Sequence, residues 1–438
     1  MKRGDLIKLA VISLGCPKNI ADTENLLAGL PAGFQLSNLE DSDMVLLNTC
    51  AFLKTARNEV MEYVKKLKDK KIVLLGCLAG QLNEDFLEKY PQVHAVISGR
   101  HYPMISEVLE NVSRGGKIFA VSEEPKRFVE MNGKYQITPP SYAFIKIAEG
   151  CNNACSFCLI PKLKGQYRSR PTESILKEAE KLIRNGVKEL VLVAQDCGMY
   201  GTDLYGKKTL ADMLSKLTSI KGDYWIRILY IYPERIDEDL LKMMSGSKKI
   251  CPYLDIPLQH GDSDVLKSMR RPYDLKRTFD KINLIRRYIP AITLRTSLIV
   301  GFPGESKEAF DNLKKFVKKI NFDHVGVFEY SKEEGTDAHD LPKQLSAGVK
   351  KSRRAEIMKM QQKISYNINK SLVGKTFKTL IDAYDKENGV YLGRTMHFAP
   401  EIDGNVIIKS KFPLRLYEFY SVKITETGPY DLYGEAKI

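Results

Sequence analysis

Residues 149–171 read EGCNNACSFCLIPKLKGQYRSRP and follow the apolar run YAFIKIA at 142–148. Cys151, Cys155 and Cys158 stand in a C-x-x-x-C-x-x-C spacing, so one loop of eight residues carries three thiols. A structural zinc site takes four ligands, and no Cys or His follows Cys158 within thirty residues. A four-iron cluster on three thiolates keeps one iron open for a substrate or cofactor. Zinc and iron–sulfur are the two competing readings, and the absent fourth ligand favours iron.

The run before this loop is the first of a series. YAFIKIAEG (142–150), ELVLVAQD (189–196), WIRILYI (225–231), YLDIPL (253–258), ITLRTSLIVG (292–301) and HVGVFEY (324–330) read as strands, with helix-patterned stretches between them. Thr172 is placed to cap a helix with Ile175, Ala179, Leu182 and Ile183 on one face, and Gly186 to end it. Six β/α units predict an open parallel barrel with its active site at the carboxyl ends of the strands.

Upstream, KLAVISLGC (8–16), DMVLLNTC (43–50), KIVLLGC (71–77) and VHAVISG (93–99) alternate with amphipathic stretches, which predicts a helix-covered parallel sheet. Cys16, Cys50 and Cys77 each close one of these runs. A single cysteine at a strand end is usually a small buried hydrophobe. Three at successive strand ends of one parallel sheet share its ligand-binding edge, and Gly15 and Gly76 let the backbone come close there. The pattern predicts a second three-thiolate site. Cys251 fits neither triad and reads as structural; Cys197 follows Gln195–Asp196 at a strand end and receives no role.

Between these segments, Ser122–Pro140 is a polar connection with room for one strand. Ser346–Lys370 reads as a basic helix, and FKTLIDAY (377–384), GVYLGRT (389–395), NVIIK (405–409) and YEFYSVKITET (417–427) predict a small β-barrel. The fold class is therefore α/β with an all-β end piece: domains at 1–135, 136–370 and 371–438.

Composition sets the outer limits. The 438 residues are 43% hydrophobic and 28% charged, as in soluble globular proteins. No run approaches the roughly 18 apolar residues of a membrane span. The N-terminal MKRGDLIKLAVISLGC is not a lipoprotein signal, because Lys8 interrupts its apolar run; a cytoplasmic location is expected. Eight cysteines in such a length point to metal or catalysis rather than a disulfide scaffold. Residues 141–370 carry 41 Lys and Arg against 28 Asp and Glu, whereas 371–438 carry 9 against 9. A basic middle suits an acidic partner or nearby nucleic acid, or is a solvated surface.

The cysteine loop after the first strand of a β/α partial barrel resembles the radical S-adenosylmethionine enzymes. The second triad, in SLGCPKN (13–19), LLNTC (46–50) and LLGC (74–77), narrows the resemblance to the methylthiotransferases, and the last segment resembles their TRAM barrel. GCPKN (15–19), IPKLKGQYRSRP (160–171), YGTDLY (200–205), YLDIPLQHGDSDVLKSMRR (253–271), YSKEEGT (330–336) and GRTMHFAPEIDG (393–404) look like the branch that modifies an aspartate of ribosomal protein twelve of the small subunit. The other branch modifies a transfer-RNA adenosine; a barrel gripping RNA should be basic, and this one is neutral. Cys197–Gly198 depart from the hydroxyl residues expected there.

The resemblance implies a fold, a chemistry and a set of residues. Cys151, Cys155 and Cys158 would hold a 4Fe-4S cluster that splits S-adenosylmethionine to a radical able to attack an unactivated carbon. Cys16, Cys50 and Cys77 would hold an auxiliary 4Fe-4S cluster that presents sulfur, and a second S-adenosylmethionine would methylate it. Phe157 would pack on adenine or is a core aromatic, Gln195 and Asp196 would meet the methionine amino group or ribose, Arg295 would pair a carboxylate or forms an ordinary surface ion pair, and Gly301 and Gly304 would let backbone approach the cofactor or serve a tight β–α turn. No catalytic residue beyond the cluster ligands is assigned; Gln259 and His260 end a strand without a role. The basic loop 162–170 either steers the target or is a charged surface loop. The expected partners are ribosomal protein twelve as substrate and a flavodoxin or ferredoxin as electron donor, with a monomer as the default and no membrane. The rivals are a transfer-RNA methylthiotransferase and a non-enzymatic zinc-stapled protein.

Overall fold

The apolar runs of the first segment form a parallel sheet. Its strands are β1 (Ile7–Ser13), β2 (Phe34–Leu36), β3 (Met44–Thr49), β4 (Lys71–Gly76), β5 (Val93–Ile97) and β6 (Ile118–Ala120), in the order β2-β1-β3-β4-β5-β6. The structure, a computed structural model, describes residues 6–122, 125–131, 133–272 and 274–437. It divides into two units: one runs to Thr138 and takes in Ala148–Ala154 and Cys158–Arg170, and the other holds Pro139–Ile147, Cys155–Phe157 and the chain from Pro171.

In the first unit successive strand residues serve opposite faces. Val45, Leu47, Ile72 and Leu74 pack with Val60 and Val64, while Leu46, Val73 and Leu75 pack with Leu26, Leu27, Val108 and Leu109. The helices are α1 (Pro17–Leu27), α2 (Lys54–Lys66), α3 (Asp85–Lys89) and α4 (Ile105–Ser113). Cover on both faces is why these strands read as continuous apolar runs rather than alternating ones. β2 and β6 were not anticipated: FQL and IFA are short and only partly buried, so neither stands out as an apolar run. Among the described residues of 122–140 there is no strand. That connection is instead tied to buried Glu24 of α1: its carboxylate accepts from the Ile137 and Thr138 N–H groups, both at 3.0 Å, and meets Lys134 Nζ at 3.1 Å.

Next in the chain come β7 (Tyr142–Lys146) of the second unit and the short strands β8 (Ala148–Glu149) and β9 (Arg168–Ser169), an antiparallel pair in the first. Within the cysteine loop lies α5 (Ile160–Lys164), whose Leu163 joins the same apolar cluster as Cys77 and Leu78.

In the second unit all six expected strands form and run parallel: β7, β10 (Glu189–Val193) and β11 (Trp225–Ile228) in one sheet, β12 (Tyr253–Asp255), β13 (Thr293–Val300) and β14 (His324–Glu329) in the other. Backbone bonds from Cys251 N–H to Ile226 O (2.8 Å) and from Ile231 N–H to Asp255 O (2.9 Å) join the two into an open arc. The helices are α6 (Thr172–Arg184), α7 (Leu210–Ser219), α8 (Glu238–Gly246), α9 (Ser263–Ser268), α10 (Leu275–Tyr288), α11 (Lys307–Ile320) and α12 (Ala347–Lys370). The expected face of α6 is buried at Ile175, Ala179 and Leu182. Thr172 is not its cap: the helix starts on Thr172 itself, after Pro171, and the Thr172 hydroxyl bonds the Tyr200 hydroxyl at 3.0 Å. Proline in front supplies the extended residue a cap needs, so the threonine is free to bond elsewhere.

The last segment is a closed barrel, β15 (Thr376–Asp385), β16 (Val390–Arg394), β17 (Val406–Lys409), β18 (Phe419–Thr427) and β19 (Leu432–Lys437), in the order β15-β16-β17-β19-β18. β19, LYGEAK, is the strand not anticipated: its apolar residues are too few to stand out, yet it closes the barrel between β17 and β18.

Candidate active site

Strand order in the first unit reverses between β1 and β3, which makes their carboxyl ends a topological switch point, where open α/β sheets bind ligands. Cys16 follows β1 and Cys50 follows β3; Cys77 follows the adjacent β4. Cys16 is also the residue before the first turn of α1, with Pro17 in that turn, where a helix end favours negative charge. Asn19 holds these strand ends together: its amide donates to Leu14 O (2.8 Å) and Thr49 O (3.0 Å), and its own carbonyl accepts from Asn48 (2.8 Å). Gly76 sits at φ +94°, and a Cβ there would stand 2.4 Å from both Asn48 Oδ1 and Thr49 O. Gly15 packs on Cys50 in the same way. The three thiols influence one another. Burial pushes the Cys77 thiol up to about 12, with Cys16 and Cys50 adding to the rise and the Lys164 charge opposing it; burial and the neighbouring Cys16 also raise Cys50.

The cysteine loop contributes Cys151 and Cys158 to this unit. Cys151 Sγ accepts from Asn153 N–H (3.4 Å) and Nδ2 (3.3 Å), and Cys158 Sγ accepts from Ile160 N–H (3.4 Å). The basic loop 162–170 is not a solvated charged surface. Lys164, Arg168 and Arg170 are buried and only Lys162 among its four cations is exposed. Lys164 Nζ lies 4.0 Å from Glu149 Oε1, both side chains buried, and acts on Cys77. Burial works against the Lys164 ammonium, but Glu149, Cys77, Tyr102 and Asp22 together hold its pKa well above the ordinary value.

Cys155 belongs to the second unit, near the carboxyl ends of β11 and β12. Its Sγ is 3.0 Å from the Tyr232 hydroxyl and accepts from Arg271 Nη1 at 3.3 Å. Neither partner receives a role from the sequence. Phe157 packs against a small apolar cluster that includes Met269, Phe302 and Tyr330. Gln195 follows β10, partly buried, and Asp196 is fully buried. The Asp196 carboxylate accepts from Gly198 N–H (3.1 Å) and Tyr232 N–H (3.4 Å) and stands 3.8 Å from Arg235 Nε. Gly198 explains the departure at Cys197–Gly198: a Cβ there would lie 2.3 Å from Arg235 Cβ, so glycine makes room for the arginine beside Asp196. Cys197 is buried, its thiol turned to Leu192 O at 3.8 Å, and Cys251 is buried as expected. Tyr230 and Gln259, just beyond β11 and β12, hold positive φ of 60° and 70° without being glycine, a strain that collects at functional edges.

Two expected cofactor residues lie against the chain's own side chains. Arg295 is the third residue of β13, towards the amino end of the strand and away from the carboxyl edge. Its guanidinium lies 3.4 Å from Asp255 and 3.5 Å from Asp403. Burial opposes its charge, but Asp255, Tyr253 and Asp403 more than compensate. Gly301 has φ +73°, its N–H donates to the Glu305 carboxylate, and a Cβ would strike Lys350 Cγ at 2.3 Å. Gly301 therefore serves a tight β–α turn against the chain's own side chains. Gly304, φ +82°, has open space where its Cβ would be.

Among the described residues no three His, Cys, Asp or Glu side chains are grouped as a single metal ion requires. A multi-iron cluster spreads its thiolates wider than one ion does, and sulfurs receiving N–H and O–H donors are what such clusters take. The donor sets at both triads, all thiols, fit that group.

Three family models match the chain in order: the uncharacterized protein family UPF0004 at 8–98, the radical SAM superfamily at 145–317 and the TRAM domain at 373–436. The fold resembles the solved radical S-adenosylmethionine methyltransferase TsrM of Kitasatospora setae (TM-score 0.52, 14% identity, covering 74% of this chain and 73% of that one). Similar proteins include ribosomal protein uS12 methylthiotransferase RimO of Thermoanaerobacter sp. (strain X514), 42% identical over 98% of this chain and 99% of that one. Its counterpart of Lachnoclostridium phytofermentans is 41% identical over 98% of this chain and 100% of that one. With such identity over 98% of its length, the chain belongs to the RimO family of ribosomal protein uS12 methylthiotransferases.

Proposed function

We propose that this protein is a radical S-adenosylmethionine methylthiotransferase that adds a methylthio group to the β-carbon of an aspartate in ribosomal protein uS12. The observation that carries the reading is the pair of thiol triads, each following strands of a parallel β/α sheet at its ligand edge, in a chain alike throughout to proteins of that name. When bound, a 4Fe-4S cluster on Cys151, Cys155 and Cys158 supplies an electron to S-adenosylmethionine, and an auxiliary one on Cys16, Cys50 and Cys77 supplies sulfur.

The chain's own residues prepare that chemistry. Asn19, Gly15 and Gly76 set the spacing of the auxiliary thiols, and Lys164 supplies buried positive charge beside Cys77. Asp196 braces the edge after β10 through Gly198, Tyr232 and Arg235, and Gln195 stands beside it at the same edge to meet the cofactor. Phe157, half-buried next to Cys158, offers an aromatic wall for adenine. Gly304 leaves open backbone after the β13 turn.

The neutral last barrel, 9 cations against 9 acids, suits a basic protein target better than an RNA backbone. The 41-to-28 surplus of cations in residues 141–370 suits a small acidic electron donor such as a flavodoxin or ferredoxin. No helix among the described residues is long and apolar enough to cross a membrane; the protein is read as a cytoplasmic monomer. Mass spectrometry of uS12 after incubation with reconstituted enzyme, S-adenosylmethionine and reductant tests the proposal. A methylthio mass increment on one aspartate is expected. An unmodified uS12, with loss of a transfer-RNA methylthioadenosine in cells lacking the gene, would overturn it.

A further inference from the structure

Cys155 is held by two side chains to which the sequence reading assigns no role. Arg271 and Tyr232 are only 6% and 8% exposed. The arginine fork is divided: Nη2 donates to Pro257 O at 2.7 Å, just beyond β12, and Nη1 donates to Cys155 Sγ at 3.3 Å. Its guanidinium carbon stacks 3.9 Å from the centre of the Tyr232 ring, whose hydroxyl is 3.0 Å from the same sulfur. Each contact constrains the others. The carbonyl fixes one arm of the fork, the ring fixes its plane, and the second arm is aimed at the thiol. The loop itself is pinned beside this point, where Ser156 N–H donates to Met269 O at 3.1 Å and Ser156 Oγ to Ser268 O at 2.7 Å.

A cation and a hydroxyl aimed at a cluster thiolate act on electron transfer. Reduction adds one negative charge, part of which resides on the thiolate sulfurs, so donors to sulfur stabilise the reduced form more than the oxidised form. Burial strengthens the effect, because little water screens it. We propose that Arg271 and Tyr232 are positioning residues that raise the reduction potential of the S-adenosylmethionine-cleaving cluster by donating to the Cys155 sulfur. The inference rests on the reading that Cys151, Cys155 and Cys158 hold that cluster.

The test uses the full chain with Cys16, Cys50 and Cys77 changed to Ala, so that one cluster remains, reconstituted anaerobically with iron and sulfide. Midpoint potential is read by spectroscopic redox titration beside iron content, which a merely structural role would alter without moving the potential. Arg271→Met is expected to keep its iron and titrate at lower potential, and Arg271→Lys to recover part of the shift. Tyr232→Phe, which keeps the ring and loses the hydroxyl, is expected to shift the same way by less. Tyr232→Phe also decides the matter if Arg271→Met holds no iron. An unmoved potential in iron-loaded Arg271→Met, or in Tyr232→Phe, overturns the inference while leaving the cluster assignment intact. A parent protein that takes up no iron overturns the assignment itself, and the inference with it.

Discussion

At the scale of single residues, the auxiliary edge depends on close approach. Gly76 has no room for a methyl group and a backbone that L-residues avoid, so Gly76→Ala should cost about 2 kcal/mol or more. Thermal unfolding should register that loss, and iron uptake at Cys16, Cys50 and Cys77 should fall with it. Lys164 makes a separate prediction. Lys164→Met leaves Glu149 buried without the ammonium 4.0 Å away, and removing one partner of a buried pair costs about 3 kcal/mol. The double variant Lys164→Met with Glu149→Gln should recover much of it, and a double-mutant cycle of melting temperatures would measure the coupling. The cysteines were legible because thiols at short fixed spacing are rare and local. Lys164 and Arg271 were not. A basic residue in a polar stretch normally faces water, and only the path of the chain takes these two inside.

Elements explain the stretch GRTMHFAPEIDG, which the sequence marked without a reason. In the second unit it lies against the amino ends of the barrel strands. Arg394 ion-pairs with buried Glu189 of β10, which also takes Arg227 Nε of β11 at 2.6 Å, and Arg227 reaches Met396 O at 2.8 Å. Asp403 accepts from the Tyr253 hydroxyl at 2.7 Å, and Glu401 lies 2.5 Å from the Tyr142 hydroxyl. The stretch therefore fastens the last barrel to the β/α arc. Glu189→Gln should destabilise this unit by about 3 kcal/mol, since buried Arg227 loses its counter-charge and Arg394 keeps only Asp382 at 2.8 Å; urea unfolding would show it. His397, half-buried with Nδ1 2.7 Å from Thr293 Oγ1, adds a pH dependence. Burial first, then Arg227, His324 and Lys375, lower its pKa from 6.5 to about 4. A histidine with a lowered folded value is protonated first in the unfolded chain, so stability falls as pH drops from 6.5 towards 4. The loss should be about 3 kcal/mol at most. Stability curves at pH 7.5, 5.5 and 4.5 should show it, and His397→Gln should flatten them.

Over the whole molecule, the proposed pair of clusters makes a count. The reconstituted protein should hold about eight irons per chain, and about four after Cys151, Cys155 and Cys158 are changed to Ala, with S-adenosylmethionine cleavage gone. Changing Cys16, Cys50 and Cys77 should also leave about four irons, but keep cleavage and lose methylthio transfer. Iron analysis and product chromatography separate these outcomes, and bound zinc in place of iron would sink them. From sequence alone follow ten parallel strands, four in the first sheet and six in the arc, the basic helix α12, the barrel and the positions of both triads. Each rests on a local period or spacing that survives in one dimension. Tertiary structure decided what has no local signature. It placed the strands β2, β6 and β19, set the switch point between Cys16 and Cys50, and turned the cations of 164–170 inward. It also moved Arg295 to the amino end of its strand and Gly301 into a turn, and brought Arg271 and Tyr232 to Cys155. Those outcomes depend on contacts between residues far apart in the chain, where burial and charge pairing set the energy and sequence spacing carries no record of it.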